Sequence, residues 1–244
     1  MLFTKEKNLY YLEGVGPFKV RDNNLNDKSS IEKLDIIERI EESEYEDDVS
    51  LEILTKLSKD QDSEVRSRTA ETLVLFDSTE SEDILIELLN DEDELVRTNA
   101  SDSLSISTSV KVISLLKGRI LKDESSLVRR YAILSIGDIV NRIGYDKYEI
   151  IDFLTNQLEK EEIIGVKLCY YTVLYTLGEE KYLDLLLELI NEVDYQDRCG
   201  IVSLLSDIIS EKNVELIKTT LNNRLQVEDT IAVRSDIEKL LKEL

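Results

Sequence analysis

From residue 29 to residue 244 apolar side chains recur every three or four positions, and short acidic turns interrupt them. Val65, Thr69, Ala70, Leu73 and Phe76 fall on one stripe of a 3.6-residue helix. Val96, Ala100 and Leu104 repeat that stripe, as do Val128, Ala132, Ile133 and Ile136, and then Val166, Tyr170, Leu174 and Leu177. The pattern predicts helices over 63–77, 94–106, 126–143, 162–177, 196–210 and 230–243, termed B helices. A second set, with its own stripe as in Ile84-Leu85 and Leu88-Leu89, is predicted over 49–59, 80–90, 108–121, 147–160, 180–192 and 212–226, termed A helices. One more helix is expected over 31–42, capped by Ser29 or Ser30, with Ile31, Leu34, Ile37 and Ile40 on its buried face. Glu41 to Asp48 forms a solvated acidic connection. Helices of this length joined by short turns suit packed helical pairs.

Residues 1–28 do not follow this pattern. Leu9-Tyr10-Tyr11-Leu12 and Pro17-Phe18-Lys19-Val20 flank a Gly14-Val15-Gly16 turn, so a small hairpin or an irregular cap is expected there. Terminal units of a repeat array are usually atypical, because they shield an open end of the core.

The B helices share more than periodicity. Asp62-Ser-Glu-Val65-Arg66 leads to Ala70 and Leu73, and Asp93-Glu-Leu-Val96-Arg97 leads to Ala100 and Leu104. The dipeptide recurs as Val128-Arg129, Val166-Lys167, Asp197-Arg198 and Val233-Arg234, so the period is about 31 residues or a little more. An acidic residue before the helix, the Val-Arg pair and a small residue a few positions later resemble the HEAT-repeat family, in the short form shared with phycobilisome-lyase-like repeats. The likeness covers roughly residues 30–244 and weakens late, where Tyr170 and Ile201 replace the small residue. It implies an all-α fold: a right-handed α-solenoid (superhelix) of about six HEAT-like helix pairs over 29–244, with a small irregular N-terminal cap over 1–28.

Charge narrows the choice of partner. The 52 acidic and 30 basic side chains give a formal net charge of -22. Phosphate recognition needs clustered Lys and Arg, so nucleic acid is disfavoured, and an anionic membrane surface equally so. A basic protein partner is favoured through steering and complementary patches. No apolar run approaches the roughly 20 residues of a membrane span, and the first residues lack the apolar stretch of a signal peptide. Cys169 and Cys199 make no disulfide framework, and a cytoplasmic location is expected.

Three groups of residues are candidates for function. Arg66, Arg97, Arg129, Arg198 and Arg234 are expected to form a structural ladder, each tying its helix to the next repeat's turn, while the preceding Asp serves the helix N-terminus. The A-to-B turns carry Asp60, Asp62 and Glu64, then Asp91, Glu92, Asp93 and Glu94, then Asp123 and Glu124, then Glu161 and Glu162. In a solenoid these turns stack into an acidic edge that a basic partner could follow. If the B helices line the inner curve, as in the family, then Tyr131, Leu168, Cys169, Tyr171 and Tyr195 give that curve an apolar middle suited to docking.

Reactive centres are scarce. The chain has no His, so no Ser-His-Asp or Cys-His catalysis and no His-ligated metal is expected. Two cysteines alone make a poor zinc site, and Gly14-Val15-Gly16 lacks the third glycine and following helix of a dinucleotide loop. HEAT-like folds include alkyl-base DNA glycosylases, but that chemistry needs a basic groove with aromatic side chains, and the chain has no Trp and the opposite charge. A bilin-lyase role rests on the repeat alone. The expectation is therefore a non-enzymatic protein-binding solenoid without cofactor or metal. It would be a monomer or half of a 1:1 heterodimer. Its sharpest form is a bacterial immunity or antitoxin-type protein masking a basic toxin such as a nuclease; an adaptor or scaffold subunit is the alternative.

Overall fold

The computed structural model describes residues 9–12, 15–19, 25–42 and 47–244. Two short antiparallel strands, β1 (Leu9–Leu12) and β2 (Val15–Lys19), form a hairpin with Leu9 opposite Lys19 and Tyr10 opposite Phe18. Gly14 of the expected turn, Val20, and residues 43–46 of the acidic connection lie outside the described residues.

The other regular elements are helices. α1 (Ser30–Glu42) is followed by α2 (Asp47–Leu57), α3 (Ser63–Thr72), α4 (Thr79–Leu88) and α5 (Glu94–Ser103). Then come α6 (Val110–Lys122), α7 (Ser126–Ile143), α8 (Lys147–Leu158), α9 (Ile164–Thr176) and α10 (Lys181–Leu189). α11 (Tyr195–Ile208), α12 (Val214–Val227) and α13 (Ile231–Glu243) complete the chain. They divide into two compact units, Met1–Ser103 and Leu104–Leu244. In the first, α1, α3 and α5 pack side by side, with α2 and α4 against them. In the second, α7, α9, α11 and α13 pack in series side by side, with α6, α8, α10 and α12 as their partners. The even-numbered helices are the A set, and α1 is an extra helix of the B type.

Burial follows the stripes read from the sequence. Val65, Ala70, Val96, Ala100, Val128, Ala132 and Val166 are fully buried. Small alanines let neighbouring B helices approach, and where Tyr170 replaces one it too is buried. The helices start where side chains can take the free N–H groups. Asp62, Asp146 and Asp194 accept backbone N–H bonds at the starts of α3, α8 and α11, and Ser125 does so for α7. At α1 the cap is Ser29, whose N–H in turn donates to the Glu32 carboxylate at 2.9 Å. Ile31, expected on the buried face of α1, is exposed, and Ile36, Ile37 and Ile40 take the core positions. α3 and α5 end sooner than their apolar stripes, in 3-10 turns over Leu73–Leu75 and Leu104–Ile106 that tighten the exit toward the next helix.

α9 is apolar on nearly every side, as a helix enclosed by α7, α8, α10 and α11 must be. It packs tightly against α7, where a Cβ on Gly137 would lie 2.8 Å from Cγ1 of Val173. Val173 is buried and β-branched, so it cannot swing aside. Gly137→Ala is expected to lower stability by about 1–2 kcal/mol, overpacking outweighing the ~1 kcal/mol gain in helix propensity. Gly118, in α6, has nothing within 4 Å of the same added atom. Gly118→Ala should therefore be neutral or stabilising. Chemical denaturation of both variants checks the pair, and equal effects would refute the close-packing account.

Candidate functional site

Three rungs of the arginine ladder, Arg66, Arg129 and Arg198, show two arms. The Nη1 of Arg66 donates to the carbonyls of Asp60 (2.8 Å) and Gln61 (3.2 Å), in the turn before its own helix. Its Nε and Nη2 grip both oxygens of Asp91, in the next repeat's turn, at 2.7 and 2.8 Å. Arg129 repeats the arrangement with the Asp123 and Glu124 carbonyls and with Glu161 at 3.2 and 3.3 Å. Arg198 repeats it with the Val193 carbonyl and with Glu228 at 2.9 and 3.0 Å. Arg97 holds the carbonyls of Asp91 and Glu92, and Arg234 those of Leu225 and Glu228. A planar fork with five donors is what lets one side chain serve a turn and a carboxylate together.

Two further residues join this ladder from outside the aligned dipeptide positions. Lys33 of α1 meets Asp60 at 2.7 Å and forms the first rung. Its signal in the sequence is only a cation one turn into a capped helix. Arg224 reaches Glu228 from α12 at 2.8 Å, so that carboxylate sits between two guanidiniums. At the equivalent place in α9 stands Lys167, which forms no such rung among the described residues. Burial pushes the Glu228 carboxyl up, but hydrogen bonds from Arg198, the Thr230 N–H and Arg224 outweigh it and hold the group at about 2. Asp91 is likewise held below the usual carboxylate range: Arg66 and the Asp93 N–H overcome the effect of burial.

The hydrogen bonds divide the acidic turns of each unit into two kinds of carboxylate. Asp60, Asp91, Asp123 and Glu161 have partners inside the fold. Asp62 and Asp93 cap α3 and α5, and Ser30 also donates to Asp62. Glu64, Glu92, Glu94, Glu124 and Glu162 point into solvent, Glu92 touching Arg66 only at 3.8 Å. Fewer of these carboxylates are exposed than the run of acidic letters suggests.

The expected apolar middle of an inner curve needs correction. Leu168 and Cys169 are 1% and 0% exposed, so neither can meet a partner. They lie on the side of α9 that packs against the flanking B helices, because a B helix buries its sides against two neighbours as well as its A partner. Tyr171 is half-buried and stacks on Tyr182 with ring centroids 5.6 Å apart. Tyr131 is also half-buried, and Tyr195 is exposed at the start of α11.

Burial raises the thiol of Cys169, and burial together with Asp236 raises that of Cys199 to about 11, so neither is primed as a thiolate. Among the described residues no three His, Cys, Asp or Glu side chains converge as metal ligands. Asp197 stands where other repeats have valine. A Cβ on Gly165 would lie 3.3 Å from its Oδ1 and 3.6 Å from Nη1 of Arg130, whose buried Nε has no partner. No helix of the described residues is long and apolar enough to cross a membrane.

Paired helices with an N-terminal Asp or Ser, a buried valine and a bidentate arginine define a HEAT-like helical repeat. Residues 51–137 match the family model of HEAT repeats. No curated protein matches the chain. Among solved structures it is similar to a chain of the complex of CpcE and CpcF of phycocyanin lyase from Nostoc sp. PCC7120. The identity is 16%, 99% of each chain is covered, and the TM-score is 0.62. It is also similar to YibA of Escherichia coli, at 17% identity over 88% of this chain and 76% of that one, with a TM-score of 0.53. At such identities the likeness is one of fold. It nevertheless overturns the expectation of a non-enzymatic protein, because an end-to-end match of the same architecture belongs to a lyase complex.

Proposed function

We propose that the chain is a HEAT-type subunit that binds another protein within a larger complex. The observation that carries this reading is a fold shared along its whole length with a chain of a two-protein complex, CpcE with CpcF. The exposed carboxylates Glu64, Glu92, Glu94, Glu124 and Glu162, on a chain of net charge -22, support a basic surface on the partner. That charge is also all that supports an immunity-type role against a basic toxin, so the adaptor or complex-subunit reading is preferred. A lyase-type subunit is the second reading, favoured by the same structural likeness. The test is recovery of the tagged chain from its native host at low and physiological salt, with mass spectrometry of what accompanies it. A stoichiometric protein partner is expected, and its absence at both salts would refute the proposal. Adding a bilin to the recovered complex and following its absorbance separates the second reading from the first.

A further inference from the structure

The edge that carries the acidic turns of residues 104–244 also carries large apolar side chains that the fold leaves in water. Ile163, Tyr195 and Ile231 stand at the starts of α9, α11 and α13 and are exposed at 47%, 49% and 83%. Leu121 and Val227, in the last turns of α6 and α12, are exposed as well. Since α9, α11 and α13 pack side by side, their first turns recur at roughly 10 Å, the interaxial distance of packed helices. Helix geometry does not call for these residues. Ile163 occupies the N-cap of α9 with no side-chain cap bond, where Asp or Ser would be worth about 1 kcal/mol.

The carboxylates between these side chains are available. Glu124, Glu159, Glu162 and Glu192 are exposed and form no ion pair among the described residues. Lys122 and Lys160 are the basic residues of the same turns, too few to neutralise them. Such a surface selects its occupant. Nucleic acid and anionic lipid are repelled. A wholly apolar segment would desolvate the carboxylates without pairing them. A second copy of this edge would oppose like charges. A segment that interleaves Lys or Arg with large apolar side chains satisfies both the apolar row and its acidic rim.

We propose that this edge of residues 104–244 docks a basic, amphipathic segment of another protein, an inference that rests on the protein-binding reading above. The probe is a labelled peptide of about 16 residues alternating Lys and Leu, titrated onto the full chain by fluorescence anisotropy. Lys/Ser and Glu/Leu peptides serve as comparisons. The Lys/Leu peptide is expected to bind, the Lys/Ser peptide about tenfold more weakly, and the Glu/Leu peptide not at all. The combined variant Ile163→Ser, Tyr195→Ser, Ile231→Ser should lose about tenfold or more in affinity with an unchanged melting curve. Tyr148→Ser with Leu216→Ser, exposed positions away from these turns, should change nothing. No binding by the Lys/Leu peptide, equal binding by the Lys/Ser peptide, or full affinity in the triple variant overturns the proposal. If the triple variant still recovers the host partner in full, the edge is refuted while the subunit reading stands. If it loses that partner while still folded, the edge is supported.

Discussion

Arg66→Ala should be among the most destabilising single substitutions in the chain, at about 3–5 kcal/mol, the range for removing one partner of a buried ion pair. The loss has three parts. Asp91 keeps its burial and loses the two bonds that overcome it. The carbonyls of Asp60 and Gln61 lose their donor. The turns before α3 and α5 lose the one side chain seen to join both. Arg66→Lys should recover only a minor share, because an ammonium cannot hold both Asp91 oxygens and two carbonyls at once. Adding Asp91→Asn to Arg66→Ala should return part of the loss, since the stranded charge is then gone. Urea denaturation gives the magnitudes, and hydrogen exchange should place the loosening in α3 to α5. A loss under about 0.5 kcal/mol, the level of a surface ion pair, would show that the ladder is ornament rather than structure.

The helices were legible because each B helix buries one stripe, and a period of 3.6 residues survives in the letters whatever the helix meets. The lateral contacts were not legible in the same way. Leu168 and Cys169 sit outside the stripe that faces the A helix, so periodicity marks them as exposed, yet they are buried between parallel neighbours. A solenoid helix has two kinds of buried surface, and the second has no strict period. Lys33 escaped for a simpler reason: Glu32-Lys33 matches neither the valine nor the arginine of the dipeptide that marks most repeats. Within the acidic turns, Glu161 and Glu162 are alike as letters. The guanidinium of Arg129 and the N–H groups of Glu162 and Ile163 make Glu161 structural and leave Glu162 in solvent. The exposed Ile163 and Ile231 were legible as apolar residues, but only packing shows that nothing covers them.

Glu228 supplies the second large effect, and it depends on pH. Its side chain is 0% exposed and lies between Arg198 and Arg224. A carboxyl held at about 2 when folded and near 4.5 when unfolded binds more protons in the unfolded chain across that interval. It therefore stabilises the fold fully above the unfolded value, and that stabilisation is lost as pH falls from about 4.5 toward about 2. The whole shift corresponds to roughly 3 kcal/mol, and solvent screening around the two arginines brings the expected contribution nearer 1–2 kcal/mol. Glu228→Gln keeps the shape and removes the titration, so the stability difference from the unaltered chain should be constant above pH 5.5. It should shrink below pH 4.5. A carbon-detected NMR titration of the Glu228 carboxyl tests the cause directly. A midpoint near the ordinary value of glutamate would mean that the two guanidiniums do not hold the charge, and the last rung of the ladder would then have to be explained by packing alone.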